Sequence, residues 1–176
     1  MITYFVHSTS LDNERGVRSG WQDLGLSPKG EAQASQLRDL VAEADFDLVF
    51  ASDLLRAKQT ARIVFPDQAV QYDQRLREMN YGDLNGSPGH DFPADEMWCI
   101  ENRFKNGECC LDVQARIHDF VSSSVPRGAK VAVISHKYPQ LALEVICNQR
   151  TWREAILSDW RIAGAWQPGW IYDDTA

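Results

Sequence analysis

The pattern that most constrains the fold is an alternation of short, strongly apolar runs with longer amphipathic stretches. Residues 2–6, 46–51 and 130–135 are apolar over the length of a buried strand, and residues 69–72 are a further candidate. Between the runs, apolar side chains recur at helical spacing, as at Ala34, Leu37, Leu40, Val41 and Ala44. Strands that alternate with helices predict an α/β fold, a three-layer α/β/α sandwich with a mostly parallel central sheet.

Capping residues and turn residues predict where the elements begin and end. Ser27 followed by Pro28 predicts a helix start, and Ser52 is predicted to cap a helix that ends before Pro66. Residues 75–92 are rich in Gly, Asn and Pro, which is typical of a long functional loop. The chain end predicts a hairpin around a Gln-Pro-Gly turn, because it is rich in tryptophan: Trp152, Trp160, Trp166 and Trp170.

Composition excludes several classes of function. The chain has 176 residues, which predicts one domain over 1–176, and its 18 Lys and Arg against 25 Asp and Glu give a net charge of −7. An acidic chain without a basic cluster argues against nucleic-acid binding. No apolar run approaches the roughly 20 residues that span a bilayer, and the apolar start is too short for a signal peptide, so we expect a cytoplasmic protein. An anionic substrate must therefore be attracted locally.

Polar residues follow three of the predicted strands, at their carboxyl ends. His7 follows the first, Ser52 the second and His136 the strand at residues 130–135. Because ligands bind parallel sheets at this edge, the two histidines can share a crevice with Arg56 from the adjacent helix. A guanidinium and neutral imidazoles suit a phosphate group. Each residue also has an ordinary interpretation, as a hydrogen-bonded structural histidine or a surface charge.

Other routes to phosphate or metal chemistry are not encoded. The chain has no GxGxxG, no Walker sequence, no GxSxG and no HExxH. The four cysteines have neither CxxC nor zinc-finger spacing, and they are Cys99, Cys109, Cys110 and Cys147. We therefore predict reduced thiols, no metal and no cofactor.

Five segments, in order, resemble the histidine phosphatase superfamily, also called phosphoglycerate-mutase-like, over residues 2 to about 145. Its first motif resembles FVHSTSLDN, with His7 as the nucleophile and Asn13 six residues later. Its second resembles FASDLLRAKQTA, where Arg56 is the phosphate-binding arginine. LREMNYGDLNG resembles the segment with the acidic proton donor, here Glu78, and NGECCLDVQARI resembles a further stretch. VAVISH resembles the strand that delivers the second pocket histidine, His136.

The resemblance implies a phosphomonoester hydrolase acting on a small phosphorylated substrate through a phosphohistidine. His7 would attack the phosphoryl group through a neutral Nε2, with its other nitrogen donating to a backbone carbonyl. Glu78 would protonate the leaving alkoxide and then act as a base for water. Asn13, Arg56 and His136 would stabilise the charge on the phosphoryl oxygens.

One departure from the motif bears directly on activity. Val6 stands where the superfamily has its first arginine, and losing a charge-assisted partner is worth about 1.5–3 kcal/mol. Lys137, Arg15 and Arg18 are candidate substitutes for that charge. Two other functions stay open: a weak or inactive member that binds an anionic ligand, and a phosphoglycerate mutase, although mutases of this family are longer.

The tryptophan-rich end has two interpretations of its own. Aromatic residues at a chain end usually cover the core or form a dimer surface, so a homodimer stays open. The same side chains can form the wall of a substrate pocket.

Overall fold

A computed structural model describes residues 1–173 of the chain. Its helices and strands are, in order, β1 (Ile2–Val6), α1 (Leu11–Arg15), β2 (Val17–Arg18), α2 (Pro28–Leu40), β3 (Leu48–Ser52), α3 (Leu55–Val64), β4 (Val70–Asp73), β5 (Ser87–Pro88), α4 (Cys110–Ser124), β6 (Val131–Ser135), α5 (Lys137–Ile146), α6 (Trp152–Leu157), α7 (Trp160–Ala163) and β7 (Trp170–Tyr172). Short 3₁₀ turns interrupt the long segment between β4 and α4.

The central sheet has five strands in the order β4-β3-β6-β1-β7. The first four run parallel, and β7 pairs antiparallel with β1, with Tyr4 opposite Trp170. The strand β6 lies in the middle, and each of its five residues is buried. The predicted mostly parallel sheet is confirmed, with one antiparallel edge.

Helices cover both faces of the sheet and produce two apolar cores. Alternate residues of β6 point to opposite faces, as the two-residue period of a strand requires. Ala132 and Ile134 pack with α2 and α3, whereas Val131 and Val133 pack with α4 and α5. The predicted three-layer sandwich is thus confirmed, and it directs the polar carboxyl ends of β1, β3 and β6 to one edge.

The two predicted helix caps have different outcomes. Ser27 caps α2, because its side chain accepts from the Gly30 N–H, and Pro28 is the first helical residue. Ser52 does not cap a helix: it is the last residue of β3, paired with Asp73, and α3 begins only at Leu55. The Ser52 hydroxyl instead accepts from the Leu54 N–H at 3.3 Å and steadies the turn that leads into α3.

The predicted terminal hairpin is wrong. Thr151 and Glu154 form a capping box that starts α6, and α7 follows before the chain returns as β7 along the open edge of β1. A hairpin needs two strands paired with each other, whereas within residues 150–173 the only strand, β7, pairs with β1. Among residues 1–173, no helix is both long and apolar enough to cross a membrane.

Candidate active site

The two candidate histidines meet at the carboxyl edge of the sheet. His7 follows β1 and His136 follows β6, and these strands are neighbours. Their ring centroids lie 4.9 Å apart, with the ring planes at 57°. Parallel pairing of the two strands, in which Val6 lies opposite Ser135, brings the rings together.

His7 is oriented for attack through Nε2. Its Nδ1 lies 2.7 Å from the Ser8 carbonyl oxygen, so that Nδ1 carries the proton of the neutral ring and donates it there. The predicted contact with a backbone carbonyl is therefore present. Burial and then the charge of Arg56 lower the pKa of His7 from 6.5 to about 3. The ring is neutral at physiological pH, with a free lone pair on Nε2.

His136 is fully buried and held from both sides. Its Nε2 lies 2.9 Å from the Ser52 hydroxyl oxygen, and the Tyr4 hydroxyl accepts from its backbone N–H and donates to its carbonyl. Nδ1 has no hydrogen-bond partner although it is buried. Burial and the charge of Arg56 lower the pKa of His136 well below 6.5. A neutral ring that accepts from Ser52 keeps its proton on Nδ1.

Arg56 is a buried cation that forms no hydrogen bond to a carboxylate of residues 1–173. Its guanidinium is almost completely buried and donates to the backbone carbonyls of Gly20 at 2.8 Å and Gln22 at 2.9 Å. Gly20 has a φ of +53°, and a Cβ atom there would lie 1.9 Å from the Asn85 side-chain oxygen, so glycine is required for this turn. A buried cation held only by carbonyls suits an anionic ligand.

Glu78 lies where a loop meets the start of α5. Its carboxylate accepts from three backbone N–H groups, those of Met79 at 2.9 Å, Tyr138 at 3.1 Å and Lys137 at 3.2 Å. The backbone of Glu78 is fixed as well, because its carbonyl accepts from the Arg116 guanidinium and the Trp21 indole. The position of the Glu78 carboxylate is therefore fixed twice, by hydrogen bonds to the carboxylate and by hydrogen bonds to the backbone carbonyl of the same residue.

Asn13 combines a structural contact with access to the site. Its Oδ1 accepts from the Ser10 N–H and hydroxyl, each at 2.9 Å, which caps α1. Both contacts engage the amide oxygen and not the amide nitrogen. The predicted residues His7, Asn13, Arg56, Glu78 and His136 all line one cavity of about 370 Å³.

The charged and titratable side chains around this cavity are of several kinds. Within residues 1–173, no three His, Cys, Asp or Glu side chains are grouped so that they could hold a metal ion. The cavity is lined by two neutral imidazoles, three guanidinium groups, the Lys137 ammonium group and the carboxyl groups of Glu78 and Glu96.

The comparison with known proteins identifies the family. A model of the histidine phosphatase superfamily (branch 1) matches residues 5–149. The chain belongs to this superfamily. A phosphoglycerate mutase of Gloeobacter violaceus, described as 2,3-bisphosphoglycerate-dependent, is 31% identical over 147 residues, which cover 74% of this chain and 67% of the mutase.

Two further relatives are phosphatases. The adenosylcobalamin/alpha-ribazole phosphatase of Escherichia coli K12 is 30% identical over 143 residues, covering 74% of this chain and 70% of that protein. The crystal structure of the alpha-ribazole phosphatase from Shigella flexneri has the same fold, with a TM-score of 0.78 at 24% identity over 89% of this chain and 83% of that one. The proteins that this chain is similar to thus include both a mutase and phosphatases.

The three residues expected to replace the superfamily's first arginine are placed differently. Lys137 lines the cavity, but its ammonium group contacts the Glu96 carboxylate at 2.6 Å and that of Asp159 at 3.4 Å. Arg18 also lines it, with its guanidinium 4.4 Å from the ring centre of Phe92 and largely exposed. Arg15 is exposed at the end of α1 and is not part of the cavity wall.

Sequence reasoning missed several residues of the site. Arg161 reaches the cavity from α7, beside Trp160, for which a pocket wall was one of the two interpretations of the sequence, and Glu96 lines it beside Lys137. Arg116 fixes the loop of Glu78 by donating also to the Arg77 carbonyl at 2.6 Å. The resemblance included a stretch that contains Arg116, but α7 lies beyond the matched residues, where no motif points to function.

A second cavity adjoins the first on the other side of His7. It measures about 380 Å³, shares Val6, His7, Asn13 and Trp160 with the first, and is otherwise lined partly by apolar side chains, among them Leu37, Leu40 and Trp166. The tryptophans near the chain end therefore lie in two different environments. Trp152 is buried in the core, while Trp160 and Trp166 form cavity walls.

Proposed function

We propose that this member of the superfamily is a phosphomonoester hydrolase that acts through a phosphohistidine on His7. The observation that carries the proposal is the free Nε2 of a neutral His7 in a cavity shared with Arg56, His136 and Glu78. The nucleophile, the cations and the proton donor that the reaction requires are then within one site.

In the first step, the Nε2 lone pair of His7 forms a bond to phosphorus while the bond to the ester oxygen breaks. The leaving alkoxide takes a proton from Glu78, which must be protonated when substrate binds. Arg56 and the Nδ1–H of His136 donate to the phosphoryl oxygens, whose charge is distributed over them in the transition state. Asn13 has N–H groups available for the same oxygens.

In the second step, water attacks phosphorus and the bond to Nε2 breaks. Glu78, now ionised, accepts a proton from the water, and inorganic phosphate leaves. The Nδ1 contact with the Ser8 carbonyl holds the ring in position through both steps. No outside reactant other than water is required.

The test compares the wild type with His7→Ala on an aryl phosphate. Acid-labile phosphate should be trapped on the wild-type protein during turnover, and both the trapped phosphate and the turnover should be lost in the variant. Persistent activity in His7→Ala would refute the assignment of the nucleophile.

Two alternatives have observations of their own. Val6 favours a member that binds a phosphorylated ligand without turning it over, which predicts phosphate binding and no hydrolysis. The similarity to phosphoglycerate mutases favours transfer between hydroxyl groups, which predicts isomerised phosphoglycerate without release of inorganic phosphate. Measuring released phosphate and isomer from one phosphoglycerate reaction separates the three functions.

A further inference from the structure

Val6 leaves the carboxyl end of β1 without the arginine that the superfamily has at this position. This residue ends β1, directly before His7, and its side chain lines both cavities. A phosphoryl group in the site carries up to two negative charges, and Arg56 supplies one positive charge. A second guanidinium near Val6 would be expected to bind the remaining oxygens.

The edge strand β7 brings the chain end to this position. Because β7 runs antiparallel to β1 with Trp170 opposite Tyr4, the residues that precede Trp170 lie toward the carboxyl end of β1, next to Val6. Trp160 stacks on Trp170, with ring centres 5.0 Å apart at 26°, and this contact anchors α7 over the site.

Arg161 extends from α7 into the cavity wall and is held in a defined position. One terminal nitrogen donates to Asp159 at 2.9 Å, the other donates to Gln140 at 3.1 Å, and the guanidinium lies 4.4 Å from the ring centre of Trp160. These contacts use two of its five N–H groups, and the others are available to a ligand oxygen. Asp159 is itself buried, so it fixes the guanidinium rigidly.

The charge of Arg161 acts on the reacting groups. Together with the stronger effects of burial and Arg56, it lowers the pKa of His7 and that of His136. Lys137 differs, because two carboxylates contact its ammonium group, and Arg18 differs, because it lies against Phe92 at the exposed side. Arg161 is thus the cation near both histidines that pairs with a single carboxylate.

We propose that Arg161 supplies, from the C-terminal segment, the phosphoryl-binding guanidinium that the superfamily carries at the position of Val6. Asp159 and Gln140 are positioning residues that aim it. The role of Arg161 in catalysis rests on the proposed function, whereas its role in binding phosphate can be measured independently of any turnover.

The experiment measures kcat/KM on p-nitrophenyl phosphate and the Kd of inorganic phosphate by calorimetry. Arg161→Met should lower kcat/KM by about ten- to a hundredfold and weaken phosphate binding, as expected for a lost charge-assisted contact. The control is Arg153→Met, which removes an exposed arginine of α6 and should leave both values unchanged.

Two further variants separate a lost contact from a folding defect. Arg161→Lys keeps a cation beside Asp159 but lacks the planar fork, and it should lose about three- to tenfold in kcat/KM with an unchanged thermal midpoint. Adding Val6→Arg to Arg161→Met should restore much of the lost phosphate affinity, whereas Val6→Met in the same background should not.

The outcomes distinguish this inference from the proposed function. If Arg161→Met and Arg161→Lys match the wild type in turnover and in phosphate binding, Arg161 has no such role, and the proposed hydrolase stands. If the wild type does not hydrolyse phosphomonoesters but Arg161→Met weakens its phosphate binding, the hydrolase is refuted and the role of Arg161 in binding is supported.

Discussion

Two regions of the chain build the same cavity by different means. Residues 5–149, which match the family model, place their functional groups at the ends of parallel strands and on the elements that follow. Residues 150–173 include two short helices and an antiparallel edge strand, and they contribute Trp160 and Arg161 to this cavity and Trp166 to the second one. The first region contributes the proposed nucleophile, proton donor and phosphate-binding groups, and the second contributes further wall residues and one guanidinium.

Under the proposed role of Arg161, one phosphoryl-binding charge lies in the second region instead of the first. Within the matched region, Val6 leaves the end of β1 without a cation, and the neighbouring edge strand β7 comes from the second region. Arg161 lies on α7, which the stacking of Trp160 on Trp170 holds beside this edge strand.

The largest expected effect comes from the matched region. His7→Ala should abolish phosphatase turnover, by at least about 10³-fold in kcat, because no phosphohistidine can form. His118→Ala is the control, since His118 is exposed on α4 and lies outside the cavity. Steady-state kinetics on an aryl phosphate provide the measurement. If His118→Ala lost as much activity as His7→Ala, the cavity would not be the active site.

A second prediction concerns Glu78 and depends on the leaving group. Glu78→Gln cannot donate a proton, and general acid catalysis contributes about 10²–10⁴-fold. We expect a loss of that order on an alkyl phosphate, whose alkoxide needs the proton, and a much smaller loss on p-nitrophenyl phosphate. Equal losses on both substrates would instead indicate that Glu78 only holds the backbone of α5.

The third prediction compares one arginine from each region. Arg56→Met should reduce kcat/KM more than Arg161→Met does, because Arg56 is more deeply buried and its charge lowers the pKa of both histidines more strongly. We expect about 10²–10³-fold for Arg56 against about ten- to a hundredfold for Arg161. Arg62→Met, on the exposed face of α3, is the control for Arg56. The opposite order would make the C-terminal segment the main source of binding charge.

The sequence predicts the first region well because parallel sheets leave little freedom there. Once the strands that end at His7 and His136 are neighbours, their polar residues must meet at one edge. The placement of the second region depends on which edge strand of the sheet β7 pairs with. Neither the apolar pattern nor the tryptophans of the sequence predict that edge. The capping box of Thr151 and Glu154 was a readable helix signal, whereas the entry of Arg161 into the cavity follows only from the antiparallel pairing of β7.

The smallest expected effect concerns the pH dependence of stability. The fold holds two rings neutral, since the pKa of His7 is lowered from 6.5 to about 3 and that of His136 well below 6.5. Below pH 6.5 the unfolded chain binds protons on these rings that the folded chain does not bind. Their contribution to stability is therefore fully present above about pH 6.5 and is lost as the pH falls toward 3. Urea unfolding between pH 7.5 and 4.5 should show this decline, and His7→Asn should make it shallower.

The same measurement can detect the charge of the C-terminal segment at the nucleophile. Arg161 is the weakest of the effects that lower the pKa of His7, so Arg161→Met should raise that pKa slightly and flatten the decline by less than His7→Asn does. Titration of the His7 ring followed by NMR gives the pKa directly, with Arg153→Met as the control. An unchanged His7 pKa in Arg161→Met would mean that the segment closes the cavity wall without acting electrostatically on the residue that we propose as nucleophile.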